Sequence, residues 1–372
     1  MASKQKSGFT LLELIVAVAV TALLTGMLLS ISTQILDTQT TSSGRLESNQ
    51  VAQSVLDRIQ EDLQCAVYRN DGNIWMAISI LEDNENSGEW KKPNGNRNKP
   101  EEESLRIFKS QWPSDIPLED SEYTDSLGQI PLRLSRFGVA GAWLRFFTQS
   151  PEIDQQGENT GAPRAVAYQI IRHGLTSSPT STERYQLFRS DVSAKNSFLA
   201  GYNLDLEEGG YGSSASSSSL DLNDGNSPRT PSTISNPIIT DNPEYSKASF
   251  SVASNIIDFG IRAYVLETNS YGTGNLVQIF PPIDPKNPNT LISNDLFVTS
   301  RPKENDRTEP PFQFFPDVVD IMIRVLTVEG ANTLSAFERE IIPKNESQNW
   351  WSIAEENSDV FIRRIKIYGR GL

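Results

Sequence analysis

One stretch constrains everything else in this chain. From Leu14 to Leu36 no side chain carries a charge, and Leu, Val, Ala and Ile dominate. As a helix rising about 1.5 Å per residue it spans roughly 35 Å, enough to cross the apolar core of a bilayer. Lys4 and Lys6 precede it and the first charge after it is Asp37, so positive-inside bias predicts a cytoplasmic N-terminus and an exported body. A secretory signal has a shorter apolar region, usually about 7 to 15 residues, and only Ser30-Ile31-Ser32 mimics a small-x-small cleavage site. A buried core helix needs neither the lysine flank nor this length. None of these readings accounts for Glu13 at the head of the run. A lone carboxylate costs about 2.5 to 3.5 kcal/mol near the centre of a span and less towards its edge, so it calls for a partner.

The residues around Glu13, Lys6-Ser7-Gly8-Phe9-Thr10-Leu11-Leu12-Glu13-Leu14-Ile15-Val16-Ala17, resemble the class III leader and N-methylation motif of type IV pilins and type II secretion pseudopilins. The resemblance implies cleavage by prepilin peptidase after Gly8 on the cytoplasmic face, methylation of the new N-terminal Phe9, and a role for Glu13 in assembly. Gly8 has no side chain to keep a peptidase from the backbone. Cleavage leaves Phe9 with a charged ammonium, which can pair with the Glu13 carboxylate of a neighbouring subunit or of its own chain in low-dielectric surroundings. The implied partners are other pilin-like subunits, the peptidase and an inner-membrane assembly platform. The implied location is the bacterial inner membrane, single-pass, with the globular part periplasmic or extracellular.

Behind the apolar segment the helix is expected to continue over 37–67. Thr38-Gln39-Thr40-Thr41-Ser42-Ser43-Gly44 has poor helix propensity, which predicts a kink or local melting near Gly44. Val51, Val55, Ile59 and Leu63 then recur every four residues with Ala52, Leu56 and Ala66 beside them, while Glu47, Asp57, Arg58, Glu61 and Asp62 are assigned to the other faces. That stripe is expected to pack on the chain's own sheet, and Cys65 to act as a small buried hydrophobe.

Past residue 67 the apolar period changes to two. Strands are predicted at 74–80, 104–110, 142–148, 164–173, 184–190, 256–267, 276–280, 318–329 and 360–368, mostly antiparallel and half-buried. A long helix followed by strands argues an α+β fold, with the helix packed on an antiparallel sheet, over an alternating nucleotide-binding one. Polar, serine-rich or proline-rich stretches at 82–103, 201–243 and 281–311 are expected as loop insertions in a domain covering 68–372, after a leader at 1–8 and an assembly helix at 9–36. A division of the body near 201–243 stays open. Within the body, Ala165-Val166-Ala167-Tyr168 leading to Arg184-Tyr185-Gln186-Leu187-Phe188-Arg189, and Phe315-Pro316-Asp317-Val318-Val319-Asp320, resemble the paired strands and the Pro-then-strand step of the J-type minor pseudopilin. A minor pilin-like subunit of another machine fits the same residues.

Composition narrows the alternatives. The 372 residues carry 33 Lys and Arg against 47 Asp and Glu, a net charge of −14, which argues against nucleic-acid binding. One cysteine and one histidine, Cys65 and His173, rule out an intrachain disulfide and a zinc site built from His and Cys clusters. His173 ends a predicted strand with no nucleophile elbow in the sequence, so catalysis is not expected and no cofactor is implied. Asp221-Leu222-Asn223-Asp224-Gly225-Asn226 offers oxygen ligands, but its glycine falls one position early for an EF-hand loop, and a solvated turn is the simpler account. Trp350-Trp351 is expected to cap a core edge. The competing class is an anchored exported hydrolase or ligand-binding protein, distinguished by cleavage after Gly8 with methylation of Phe9.

Overall fold

The computed structural model describes residues 10–80, 83–84, 89–90, 142–149, 162–174, 183–192, 194, 197–198, 201–204, 251–268, 274–281, 283–284, 287–291, 295–298, 314–339, 341 and 350–368. Two compact units divide the chain, Met1–Asn49 and Gln50–Leu372. The fold is α+β. Helix α1 runs over Leu11–Gln64 and therefore belongs to both units.

The first unit holds the apolar part of α1. Its hydroxyl side chains bond back to the helix that carries them: Thr21 Oγ1 donates to the Ala17 carbonyl at 2.7 Å, Thr25 Oγ1 to Thr21 at 2.8 Å, Thr38 Oγ1 to Gln34 at 2.8 Å and Thr40 Oγ1 to Leu36 at 3.1 Å. These bonds explain how a threonine-rich stretch stays helical: each hydroxyl is satisfied by a carbonyl of the preceding turn. The melting predicted near Gly44 does not occur. The helix continues through it, and Ser48 Oγ donates to the Gly44 carbonyl at 3.0 Å.

The second unit contains two large antiparallel sheets. Its strands in chain order are β1 (Met76–Ile80), β2 (Asp83–Asn84), β3 (Glu89–Trp90), β4 (Ala142–Thr148), β5 (Arg164–Gly174), β6 (Glu183–Val192), β7 (Ser251–Ser254), β8 (Ile256–Thr268), β9 (Gly274–Phe280), β10 (Ile283–Asp284), β11 (Asn287–Leu291), β12 (Asp295–Val298), β13 (Val318–Leu326) and β14 (Ser358–Lys366), with helices α2 (Val328–Glu338) and α3 (Trp350–Glu356) between the last two. One sheet has the order β12-β1-β4-β5-β6-β7 and the other β14-β13-β8-β9. The chain passes from the first to the second at Asn255, whose φ of 64° sits in the left-handed region that asparagine tolerates better than most residues. The predicted strand at 104–110 lies outside the described residues.

Several expectations change here. β4 is buried along its whole length and β13 along nearly all of it, so these strands are covered on both faces rather than half-buried. The strand predicted to run to Glu329 stops at Leu326, because Thr327 caps α2: its Oγ1 accepts from the Gly330 amide at 3.1 Å. Gly330 is required at that turn, since a Cβ there would fall 2.3 Å from the Asn357 Cβ. The stretch 281–311, expected as a loop, contains β10, β11 and β12, and β12 forms an edge of the six-stranded sheet through the pairing of Met76 with Val298.

The stripe on the second half of α1 packs as expected. Val55, Ile59 and Leu63 are buried in the main core with Ala52, Leu56 and Ala66, and Val51 packs at its margin. Asp62 departs from the polar face assigned to it and is completely buried. Its carboxylate accepts from Arg189 Nε at 2.7 Å, from Arg189 Nη2 at 3.1 Å and from the Tyr168 hydroxyl at 2.5 Å. Burial, and then the Asp62 carboxylate beside it, hold the Tyr168 phenol well above the usual tyrosine range, so it remains a donor. Thr148 Oγ1 donates to the Asp62 carbonyl at 2.8 Å, joining the same helical turn to β4. On the outer side Arg363 reaches Asp57, Gln60 and Gln53. Cys65 is only half-buried, and burial together with the Glu61 and Asp62 carboxylates pushes its thiol up, away from the reactive thiolate.

Candidate functional site

The predicted processing pair Gly8 and Phe9 lies outside the described residues, and Glu13 stands in the first turn of α1. Thr10-Leu11-Leu12-Glu13 forms a reciprocal cap. The Glu13 amide donates to Thr10 Oγ1 at 3.3 Å, while the Thr10 amide donates to Glu13 Oε2 at 2.9 Å and the Thr10 hydroxyl to the same oxygen at 3.0 Å. Two amides that a helix start leaves without carbonyl partners are thereby satisfied, and the carboxylate lies at the positive end of the helix dipole. Glu13 thus finds donors within its own turn, beside the N-terminal ammonium that the motif implies as a partner. The Thr-x-x-Glu spacing that encodes the cap is readable in the sequence. Among the described residues both bonds that the carboxylate accepts end on Oε2, and none is made to Oε1.

Below the cap, Glu13, Ala17, Thr21 and Thr25 follow one another at intervals of four and, with Ala22 and Gly26, line a shallow groove along one side of the helix. The Thr21 and Thr25 hydroxyls are already bonded to their own backbone, and Leu14, Val18 and Leu29 complete the lining beside the small residues. The large apolar side chains of the segment are exposed, from Leu11 through Val18 and Leu24 to Leu36. Among the described residues α1 is the one helix long and apolar enough to cross a membrane.

Among the described residues the remaining candidates do not converge on a second site. His173 lies on β5 with its backbone in register with Arg184. The Asp221–Asn226 segment lies outside the described residues, and among those described no three His, Cys, Asp or Glu side chains group as metal ligands. Trp350 begins α3, buried, with its indole N–H donating to Glu338 Oε1 at 2.8 Å; the same oxygen accepts from the Tyr185 hydroxyl at 2.6 Å. The two strands resembling the J-type pair are neighbours, with Tyr168 opposite Arg189.

Comparison with known proteins locates the one clear likeness at this end of the chain. Residues 3–29 match the family model of the prokaryotic N-terminal methylation motif, a stretch that holds Gly8, Phe9, Glu13 and the start of the apolar helix. No curated protein and no solved structure matches the chain. Leader motif and helix together point to a membrane anchor at this end of the chain. Through that motif, at the head of a long apolar helix followed by an antiparallel α+β body, the chain is similar to type IV pilin-like proteins.

Proposed function

We propose that the chain is a minor pilin-like, or pseudopilin, structural subunit, cut after Gly8 by prepilin peptidase, methylated at Phe9, and assembled through α1 into a type II secretion or type IV pilus-like filament or its tip complex. The observation that carries this reading is the methylation motif over residues 3–29 running directly into a capped helix whose apolar side chains are exposed. Glu13 suits the role: Oε2 serves the cap, which leaves Oε1 for the Phe9 ammonium of this or a neighbouring chain. The groove below it, lined by Leu14, Val18 and Leu29 about Ala17, Ala22 and Gly26, suits the apolar side of another helix, and its threonines bring no unsatisfied polar group to the contact. The N-terminus is cytoplasmic before processing and the body lies in the periplasm or beyond, in accord with Lys4 and Lys6. A J-type position is favoured by the pairing of β5 with β6. The role is structural, not enzymatic, and calls for no cofactor.

Gly8→Val tests the processing step. A side chain at the cut is expected to leave the precursor at full mass in a host that has the peptidase, while the body still folds. A mature mass unchanged from wild type would overturn the assignment.

A further inference from the structure

The four-stranded sheet ends on both sides in an open edge. Among the described residues β13 is the one neighbour of β14 and β8 the one neighbour of β9, so the far-side backbone donors and acceptors of Ser358–Lys366 and Gly274–Phe280 have no strand to bond. Such an edge is a template for another strand, and it is normally blunted by proline, a bulge or outward charge. β14 contains no proline and pairs with β13 from end to end without a shift of register. Its three cations are drawn back onto their own chain. Arg363 bonds Asp57 of α1, Arg364 Nε and Nη2 each reach Asp320 of β13 at 2.7 Å, and Lys366 Nζ lies 5.7 Å from the centre of the Tyr368 ring. All of β14 except Ile365 is partly or fully exposed.

The two edges complement each other. An antiparallel sheet with an even number of strands has edges that run in opposite directions, so β14 of one copy meets β9 of an identically oriented copy as an antiparallel pair. The strand registers place the sheet's exposed apolar side chains on one face, towards these edges: Ile362 of β14, 45% exposed, and Leu266 of β8, 46% exposed, beside Leu276 of β9. Leu266 leans over Gly274, in the space that a Cβ there would take. Setting Ile362 opposite Leu276 puts Phe361 against Val277 and Arg363 against Asn275, apolar on apolar and cation on amide, whereas a shift of two residues sets Ile362 against Gln278 or Gly274. We propose that the sheet joins a second copy of this chain head to tail, β14 of one against β9 of the next, with Ile362 opposite Leu276. Strand addition of this kind supplies backbone bonds along the whole edge, and a heterologous contact does not close on a pair but repeats. Pairing β14 with β14 about a two-fold axis would reverse α1 of one copy against the other; the head-to-tail join keeps every α1 pointing the same way, as copies anchored in one membrane require. That choice of partner edge rests on the proposed pilin-like role, whereas the open edges do not.

Cross-linking of the full-length chain in detergent, with Cys65→Ser in every variant, tests the join. Side chains opposite each other in an antiparallel pair have Cβ atoms about 4.5 to 5.5 Å apart, within reach of a short bismaleimide. An Ile362→Cys chain mixed with a Leu276→Cys chain is expected to give a cross-linked dimer roughly tenfold faster than either chain alone, and than Lys366→Cys mixed with Leu276→Cys, since position 366 lies about 13 Å further along the strand. A chain carrying both Ile362→Cys and Leu276→Cys is expected to give a ladder of multimers. Equal rates in the Ile362 and Lys366 mixtures would overturn the join, leaving contact through the apolar helices alone. Cross-linking of the Ile362→Cys chain by itself at the rate of the mixture would overturn it in favour of a two-fold pair of β14 strands. Should either cysteine alter the unfolding of the body, Val360→Cys with Gln278→Cys, opposite each other in the same register, takes their place and must show the same margin. Cleavage after Gly8 is read separately, by mass, so failure of the join leaves the processing role standing.

Discussion

Residues 11–36 and residues 51–64 lie on one continuous helix, yet they solve the same problem in opposite ways. In the first stretch apolar side chains cover every face and are exposed, while Glu13, Thr21 and Thr25 find their partners within the helix, in Thr10, Ala17 and Thr21. In the second, one apolar stripe is buried in the core, and two of its carboxylates are satisfied from outside the helix: Asp62 by Arg189 and Tyr168, and Asp57 by Arg363. A helix that meets its polar needs internally suits lipid or another apolar helix. One that draws on distant strands is committed to a single domain. The contrast teaches that exposure alone does not mark a misplaced hydrophobe; the direction in which polar groups are satisfied shows which surface has its partner within the chain.

Substitutions can break that contrast, beginning with the largest effect. Ile59→Asp places an unpaired charge in the core, and the body is expected to lose cooperative folding, by analogy with buried charges that cost about 3 to 5 kcal/mol. Thermal unfolding of a chain truncated to begin near Arg45 would check it, and an unchanged transition would move the stripe to a contact between subunits. Asp62→Ala leaves Arg189 buried without its carboxylate and is expected to destabilise by about 3 kcal/mol, read as a lowered urea midpoint at constant slope. Gly330→Ala sharpens the picture at α2. In an open helix that change stabilises by up to about 1 kcal/mol, whereas the Cβ placed against Asn357 should reverse the sign and cost about 1 to 3 kcal/mol. Arg363→Ala is expected to cost at most about 1 kcal/mol, because Asp57, its ion-pair partner, is 69% exposed. At the other end of the helix, Glu13→Val should leave the unfolding of the body unmoved and processing intact, while co-purification with partner pilins is lost. Normal association of that variant would remove Glu13 from assembly.

Much of this was legible in the sequence, and the misses have physical causes. The Ala142–Thr148 strand is legible at its observed bounds because a short run rich in Trp, Leu and Phe, set between Gly141 and Gln149-Ser150, favours a buried strand. The end of β13 was overshot: Val328 continues the apolar alternation past Thr327, and the cap that turns the chain depends on an approach to Asn357 some thirty residues away. β12 was hidden because Asp295–Val298 sits among prolines and charges, and an edge strand can be held by pairing with β1 without a periodic pattern of its own. Asp62 was misassigned for a related reason. Charge argued for solvent, although its place between Ile59 and Leu63 already set it within the arc of the buried stripe, and its partners come from strands more than a hundred residues later. At the N-terminus the residue types were informative and the local geometry was overlooked: Thr10 was read as part of a motif and not as the cap of the helix it starts.

The central claim is that this end of the chain is made to be cut and then carried into an assembly. Mass spectrometry of the N-terminal peptide, on protein from isogenic hosts with and without prepilin peptidase, tests it most directly. The account predicts a peptide beginning at N-methylated Phe9 in the first host and the uncut leader through Gly8 in the second. An N-terminus retained at residue 1 in both hosts, or a cut elsewhere such as after Ser32, would contradict it.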